Sequence, residues 1–191
     1  MQQPTNNGQQ TTTFSILPMG RIPEILTKSI AAHIQAYLNL DVDILSPSSA
    51  PAYAFDQKRL QYNAAAIIEK IEQEASKQET KILGIVDVDL FIPVFTHVLG
   101  EARQGGEAGV ISIYRLLEGK EENNMASPMI LERAAKVALH EASHLFNLSH
   151  CMDENCLMHF SGSLGDIDNL SFTFCRYCWA YLRDTIKWYK A

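Results

Sequence analysis

The chain has 191 residues, 47% hydrophobic and 20% charged, values that are ordinary for one globular domain in water. Its net charge of -6 and the absence of any lysine and arginine run argue against a nucleic-acid partner, because phosphate binding requires a basic patch. No apolar run could cross a bilayer, and the polar N-terminus does not have the form of a signal peptide, so we expect a cytoplasmic protein without a membrane partner.

The first half of the chain alternates between strand and helix patterns. Residues 1–13 are rich in glutamine, asparagine and threonine, which predicts a disordered polar tail. The helices are predicted from apolar residues at helical spacing, and the loop between them from its two prolines. The predicted elements are a strand at 14–20, a helix at 22–38, a strand at 42–45, a loop at 46–55 and a helix at 59–78.

The second half begins with extended segments and ends in helices. The extended segments are predicted at 81–90, 91–100 and 109–117. Pro93 makes the second of them an edge strand or a bulge, because proline cannot donate to a sheet ladder. A charged loop at 118–124 precedes a helix from Pro128 to about Phe146, with Ser127 as its N-cap. A final helix is predicted at 175–189, and residues 14–191 are expected to form one domain.

The helix that ends near Phe146 carries two histidines about one turn apart. His140 and His144 would lie about 6 Å apart along the helix axis and about 40° apart around it, so both can face one metal ion. Glu141 points in a neighbouring direction and can reach a metal-bound water without occupying a coordination position. This pattern is typical of zinc hydrolases in which the glutamate is the general base.

A third histidine, His150, is close enough to bind the same metal only if the helix ends before it. In an unbroken helix it would lie about 15 Å from His140, whereas zinc–nitrogen bonds are about 2.0–2.1 Å long. Asn147 stands at the expected turn, and asparagine is second to glycine in adopting the left-handed conformation. We therefore expect Asn147 to reverse the chain at a cost of about 1 kcal/mol relative to glycine.

The cysteines follow the pattern C-x4-C-x18-C-x2-C. Two close pairs separated by a longer loop are typical of a tetrahedral four-thiolate zinc site. Such a zinc would be structural, because four protein ligands leave no open position. Two disulfides or free buried thiols are the alternatives, and a reducing cytosol disfavours the disulfides. The four residues are Cys151, Cys156, Cys175 and Cys178.

The segment HEASHLFNLSH, residues 140–150, resembles the metzincin pattern HExxHxxGxxH with Asn147 in place of the glycine. Further features resemble the archaemetzincin family within the metzincins, and the resemblance extends over residues 14–190. Three upstream segments, RLQYNA, LGIVDVDLF and VISIYRL, are similar to that family as well. The most specific features are Cys151 directly after the third histidine, Cys156 two residues before Met158, and the CxxC pair at 175–178.

The resemblance implies a fold, two metal centres and a methionine turn. The fold is of the α+β class and metzincin-like, with a mixed twisted sheet packed on helices and an antiparallel edge strand at the upper rim of a cleft. Met158 would lie in the turn beneath the histidines as a floor of the site. Two zinc ions per chain are implied: a catalytic one at His140, His144 and His150, and a structural one at Cys151, Cys156, Cys175 and Cys178, within the subsite 151–178.

These residues predict a zinc-dependent metallopeptidase in which Glu141 assists the attack of a zinc-bound water on a peptide carbonyl. The alternative is a catalytically idle, zinc-stabilised module that binds peptides. Glu141 argues against the alternative, because a structural zinc needs no base. Phe160 is compatible with the alternative, because some metzincins have a tyrosine there that helps stabilise the oxyanion, and phenylalanine cannot donate that hydrogen bond. The expected partner is a peptide or protein, the expected state is a monomer, and aminopeptidase and endopeptidase activity both remain open.

Three side chains outside the motif are secondary candidates for the cleft. His97 lies on the predicted edge strand, and Asp87 and Asp89 lie near the end of the preceding buried strand. For Asp87 and Asp89, capping a strand end or holding a loop is the simpler interpretation, and for His97 a place outside the cleft is the simpler one.

Overall fold

A computed structural model describes residues 14–78, 80–117 and 125–189. The predicted tail at 1–13 and the predicted loop at 118–124 lie outside the described residues. The strands in chain order are β1 (Phe14–Met19), β2 (Val42–Ile44), β3 (Phe55–Asp56), β4 (Gln61–Asn63), β5 (Lys81–Val86), β6 (Leu90–Ile92), β7 (Phe95–Val98), β8 (Gly100–Ala102) and β9 (Ala108–Ser112). The α-helices are α1 (Glu24–Leu38), α2 (Ala64–Gln78), α3 (Pro128–Leu145), α4 (Leu164–Asn169) and α5 (Arg176–Tyr189).

The larger of two sheets has the strand order β2-β1-β5-β9-β8. The first four of these strands run parallel to one another, and β8 pairs antiparallel with β9 at the edge. Every residue of β5 is buried, as expected for a parallel strand that is covered on both faces. The predicted fold, a mixed sheet packed on helices with an antiparallel edge strand, is confirmed.

The segment predicted at 91–100 as an edge strand or a bulge is divided among three strands, with a register irregularity between Leu90 and Ile92. Pro93 lies in the turn between β6 and β7, where its missing N–H costs no ladder hydrogen bond. These two strands belong to the smaller sheet, of order β3-β4-β6-β7. Only Gly100, at the end of the segment, reaches β8 and the edge of the larger sheet.

The helix predicted at 59–78 begins five residues later than expected. Leu60 has a φ of 56°, in the left-handed region, so the chain cannot be α-helical there. Residues 61–63 form β4, and the Oδ1 atom of Asn63 accepts a hydrogen bond from the N–H of Ala65 at 3.0 Å. Asn63 therefore caps α2, and the residues before it form a turn and a short strand.

The remaining boundary differences concern shorter elements. The strand predicted at 81–90 ends at Val86, and the last residues of the strand predicted at 109–117 form a 3-10 helix, Arg115–Leu117. Helix α4 was not predicted, although Ser163 and Asp166 form a capping box, a signal that the sequence contained. Ser127 occupies the N-cap position of α3, but its side chain makes no capping hydrogen bond.

Helix α3 is the element that positions the site. It packs with α1 on one face of the larger sheet, while α2 covers the other face. Its C-terminal half is buried almost without interruption and passes beneath β8, so His140, Glu141 and His144 are held at the edge of the sheet. Over the ranges that the structure describes, none of the helices combines the length and apolarity needed to span a bilayer. The single-domain organisation of 14–191 stays a prediction.

Candidate active site and metal centres

The end of α3 folds into the turn that the histidine spacing requires. Asn147 has a φ of 62°, in the left-handed region. Its N–H donates to the carbonyl of His144 at 2.9 Å, and the N–H of Leu148 donates to the carbonyl of Ser143 at 3.2 Å. This pair of hydrogen bonds is the Schellman arrangement that ends many helices. The predicted turn at Asn147 is confirmed.

The side chain of Asn147 joins this turn to two other parts of the fold. Its Nδ2 atom donates to the hydroxyl of Tyr181 on α5 at 3.0 Å. Its Oδ1 atom accepts from Nε2 of Gln104, which follows β8, at 3.4 Å. The adjacent N–H of Gly105 donates to the carbonyl of His144 at 2.8 Å. The asparagine thus contributes side-chain contacts that the sequence-based prediction, which considered only its backbone, did not include.

The turn brings the three histidines together. The ring centroids of His140, His144 and His150 lie 4.8 to 5.2 Å apart, and one nitrogen of each ring lies within 4.8 Å of the other two. The Nε2 atoms of His140 and His144 are 3.1 Å apart. Zinc–nitrogen bonds of about 2.0–2.1 Å at tetrahedral angles would separate two such nitrogens by about 3.3 Å. The set therefore fits a tetrahedral zinc ion with one position left open.

Backbone carbonyls fix the tautomer of two of these rings. Nδ1 of His140 lies 2.8 Å from the carbonyl oxygen of Leu157, and Nδ1 of His144 lies 2.6 Å from that of Leu148. A carbonyl only accepts hydrogen bonds, so each neutral ring carries its hydrogen on Nδ1. Both Nε2 atoms then direct lone pairs at each other, an arrangement that is favourable when a cation lies between them.

Burial keeps the histidines in the neutral form. Burial, followed by the neighbouring His144, lowers the pKa of His140 to about 3. Burial also lowers the pKa of His144 and the pKa of His150. Because neutral imidazole is the form that binds a metal, no ligand proton has to be displaced near neutral pH.

Glu141 lies beside the histidines and directly beneath the edge strand. It is 8% exposed, and burial, together with the negative charge of Glu101, raises the pKa of its carboxyl group well above the usual range. A Cβ atom at Gly100 would lie 2.6 Å from Cγ of Glu141. The strand can approach the carboxylate this closely only because residue 100 has no side chain.

The histidines and Glu141 line a cleft with a volume of about 380 Å³. One wall is formed by residues 95–102, which comprise β7 and β8. The opposite wall is formed by residues between 157 and 170, including part of α4. Most of the other lining side chains are apolar, namely Ile92, Phe95, Val98, Leu99, Ala102, Val137, Leu157, Phe160, Ile167 and Leu170.

Of the three secondary candidates, only His97 lines this cleft. Asp89 forms a bidentate ion pair with Arg115, with N···O distances of 2.6 and 2.8 Å. Asp87 accepts a hydrogen bond from the N–H of Arg21 at 3.1 Å. Both aspartates therefore hold loops in place, in agreement with the structural interpretation.

The four cysteines form a second compact cluster. Their sulfur atoms lie within 4.8 Å of one another, the Sγ atoms of Cys151 and Cys175 are 3.8 Å apart, and none of the four is in a disulfide. Zinc–sulfur bonds of about 2.3 Å at tetrahedral angles would separate two sulfurs by about 3.8 Å. Burial raises the pKa of Cys156 and of Cys178, so these thiols ionise readily only when a cation compensates the charge. The cluster fits a four-thiolate zinc ion.

The two clusters are joined by one short loop. Cys151 directly follows His150, so ligands of both clusters are neighbours in the chain. The carbonyl that orients His140 belongs to Leu157, which directly follows Cys156. A displacement of the cysteine cluster would therefore move groups that position two of the three histidines.

Several groups that shape the site were not predicted from the sequence. The carbonyls of Leu148 and Leu157 have no sequence signal, since every residue has a carbonyl. Gly100 had a weak signal, because a glycine within an extended segment often marks a close approach of another group.

Comparison with known proteins places the chain in a family. The model of peptidase family M54 matches residues 12–184. The chain belongs to peptidase family M54. It is 34% identical over 170 residues to an archaemetzincin from Methanopyrus kandleri, covering 88% of this chain and 93% of that protein. It is 36% identical over 129 residues to an archaemetzincin from Pyrococcus horikoshii, covering 66% and 68%.

The fold agrees with this assignment. The crystal structure of the archaemetzincin from Methanopyrus kandleri matches with a TM-score of 0.78 and 33% identity, over 94% of this chain and 98% of that one. The predicted relationship to archaemetzincins is therefore confirmed, and so is the prediction that this chain is a metallopeptidase by family.

We expect purified protein to contain two zinc ions per chain, because both clusters have the donor atoms and spacings of zinc sites. Elemental analysis of the unsubstituted protein should give a zinc-to-protein ratio near two. His144→Ala should reduce the ratio to about one, and Cys156→Ser should reduce it to one or below, because the cysteine cluster also positions groups that orient the histidines. A ratio near one before substitution, with disulfides found at the cysteines, would reject the four-cysteine site.

Asn147→Ala should lower the free energy of unfolding by about 1–2 kcal/mol, because alanine is strained at positive φ and cannot bond to Tyr181. Asn147→Gly keeps the turn and should change the free energy of unfolding by less than about 1 kcal/mol. Chemical denaturation measures both, and Tyr181→Phe is the control for the lost hydrogen bond. Equal destabilisation by alanine and glycine would contradict a role for the left-handed turn.

Cys175→Ser should destabilise the protein much more than His150→Ala. A structural zinc in a small motif contributes about 10–16 kcal/mol of apparent binding energy, much of it to folding. His150 is exposed and would bind at an open site, so its removal costs little packing. Thermal melts of the two variants provide the comparison, and similar decreases in Tm would argue against a structural role for the cysteine cluster.

Proposed function

We propose that this chain is a zinc-dependent peptidase in which Glu141 is the general base. The observation that carries the proposal is a buried carboxylate in the cleft, adjacent to three neutral imidazoles whose spacing fits one zinc ion. The carboxylate of Glu141 makes no hydrogen bond or ion pair with any residue that the structure describes. Since a buried carboxylate without a partner is costly, its position is best explained by a polar reactant that enters the cleft.

The nature of the donor atoms supports zinc at both centres. Four thiolates in tetrahedral spacing favour zinc, and three imidazoles with an open position are a common catalytic zinc set. We assign His140, His144 and His150 to the catalytic ion. The cysteines Cys151, Cys156, Cys175 and Cys178 are assigned to the structural ion. Met158, which is fully buried, is proposed as the apolar floor beneath the catalytic centre.

The side chains have separate tasks in hydrolysis. A zinc ion bound to three imidazoles supplies Lewis acidity, which lowers the pKa of water and polarises a carbonyl group. Glu141 removes a proton from the attacking water and then transfers it to the leaving amine. The raised pKa of this carboxyl group suits the second step, because the group retains the proton until the carbon–nitrogen bond breaks. The carbonyls of Leu148 and Leu157 hold the histidine rings in place throughout.

The edge strand offers a way to bind a peptide in an extended form. In the larger sheet of the described residues, β8 is paired only with β9, so its outer edge faces the cleft side. A substrate strand can pair with this edge through backbone hydrogen bonds, which do not depend on the peptide sequence. The apolar side chains of the cleft would then favour an apolar side chain next to the cleaved bond.

We expect Glu141→Gln to reduce turnover of a mixed peptide library at least about 100-fold, since general base catalysis contributes roughly 10²–10⁴. Mass spectrometry of the digest would identify the cleaved bonds and distinguish aminopeptidase from endopeptidase action. The zinc content of the variant should be unchanged, because glutamine in this position displaces no ligand.

The same experiment tests the second function, an idle peptide-binding module, which Phe160 favours because it cannot donate a hydrogen bond. If the unsubstituted protein contains two zinc ions and retains peptides but cleaves none, the binding module is the better description. Location in the cytoplasm and a monomeric state stay predictions that cell fractionation and light scattering would check.

A further inference from the structure

The cleft needs a hydrogen-bond donor that Phe160 cannot supply. In peptide hydrolysis the carbonyl oxygen gains negative charge, and a fixed donor aimed at that oxygen lowers the barrier. Besides the three metal-site histidines, four side chains with donors line the cleft: Thr96, His97, Lys136 and Ser161. Each can be assessed by the contacts that it already makes.

Three of the four donors are engaged elsewhere. The ammonium group of Lys136 is bound to Glu132 at 2.7 Å and to the carbonyl of Ile167 at 3.1 Å. The hydroxyl of Ser161 donates to a backbone carbonyl at 3.4 Å, and that of Thr96 contacts Nδ1 of His97 at 3.3 Å. Among the contacts of the described residues, Nε2 of His97 has none. It is the donor left for a ligand.

The position of His97 follows from the residues on either side of it. The ring of Phe95 stacks on Phe160 at 5.9 Å, and Phe160 contacts the ring of His150 at 5.4 Å. At the other end of the segment, Gly100 lies against Glu141. The chain from 95 to 100 therefore crosses the site from the third histidine to the general base, and His97 lies between these two points.

The strand geometry directs the His97 side chain to the same side as Phe95. Side chains two residues apart on a strand share one face and are separated by about 6.6–6.8 Å along it. Because Phe95 uses this face to reach Phe160 beside the metal site, His97 presents its ring to the same cleft. The half-buried ring is partly shielded from bulk water, which strengthens a hydrogen bond made there.

The wall that carries His97 is held firmly by polar contacts from the smaller sheet. The guanidinium of Arg59 donates to the carbonyls of Phe95 and Thr96, both at 3.2 Å. The amide of Gln61 donates to the same Thr96 carbonyl at 2.9 Å. A donor on a wall fixed in this way needs little rearrangement during the reaction, which is the condition for efficient electrostatic stabilisation.

The contact with Thr96 favours the tautomer of His97 that can donate a hydrogen bond into the cleft. When the hydroxyl of Thr96 donates to Nδ1 of His97, the neutral ring carries its hydrogen on Nε2. That hydrogen is then available to an acceptor in the cleft.

We propose that His97 donates a hydrogen bond from Nε2 to the carbonyl oxygen of the scissile peptide bond as this oxygen becomes negatively charged. The inference rests on the proposed peptidase function and adds a residue that contacts the substrate. No proton is transferred in this contact: the water proton goes to Glu141 and then to the leaving amine, while His97 keeps its hydrogen.

The test compares His97→Phe with the unsubstituted, zinc-loaded protein on a peptide identified from the library. We expect kcat to fall roughly 10²–10³-fold, the range for loss of one such donor, with KM changed less than about threefold. Zinc content and Tm should not change. His33→Phe, which removes a histidine on α1, is the matched control and should leave kcat unchanged.

A second measurement separates this inference from the proposed function. A phosphinic peptide has a tetrahedral anionic group that mimics the charged oxygen, so its affinity should fall in His97→Phe in parallel with kcat. A kcat within threefold of the unsubstituted protein, or a loss of activity matched by loss of zinc or of Tm, would overturn the role of His97. If the unsubstituted protein cleaves no peptide, the proposed function fails, and an unchanged phosphinic peptide affinity would then reject the His97 contact as well.

Discussion

The reversal of the chain at Asn147 is the constraint on which the site depends. Two histidines one helical turn apart can share a metal without help from the rest of the fold, but the third must return from beyond the helix end. The Schellman hydrogen bonds end α3, and contacts from Gln104 and Tyr181 hold the reversed chain against the sheet edge and α5. A single left-handed residue thus brings a third histidine to the two on the helix, with backbone carbonyls fixing the ring nitrogens that would face a metal.

The cysteine cluster holds the loop after the turn in place, as the contacts of Asn147 hold the turn itself. This loop has no regular secondary structure that could fix it, yet it contains His150 and the Leu157 carbonyl that orients His140. Leu157 and Met158 anchor the loop in the main hydrophobic core. The clustered thiols connect it to the start of α5, so a tetrahedral ion there would add a second anchor. The two clusters are therefore better regarded as one unit, in which the cysteine cluster positions histidines that we propose as ligands of the catalytic ion.

The cleft combines elements from both sheets. The larger sheet contributes the edge strand β8, whose glycine allows contact with Glu141, and the smaller sheet contributes the β7 wall with His97. The segment at 91–100 was predicted as one edge strand or a bulge because most of its residues are apolar. Pro93 indicated an edge strand or a bulge, but the turn between β6 and β7 in a different sheet depends on the pairing of β6 with β4 and β7, which no local pattern specifies. The late start of α2 has a similar origin, since Leu60 and β4 are fixed by neighbouring strands.

By itself, the sequence determined the spacing of the histidines and cysteines that we propose as metal ligands, the place of Glu141 beside them, the turn at Asn147 and the family, because these depend on spacings within about forty residues and on the periodicity of one helix. It also determined the order of the main helices and parallel strands. Only the tertiary structure decided which carbonyls orient the histidines, why residue 100 must lack a side chain, and that His97 rather than Asp87 or Asp89 faces the cleft. These features depend on contacts between residues far apart in the chain, and such contacts are fixed by packing and strand pairing, which leave no regular spacing in the sequence.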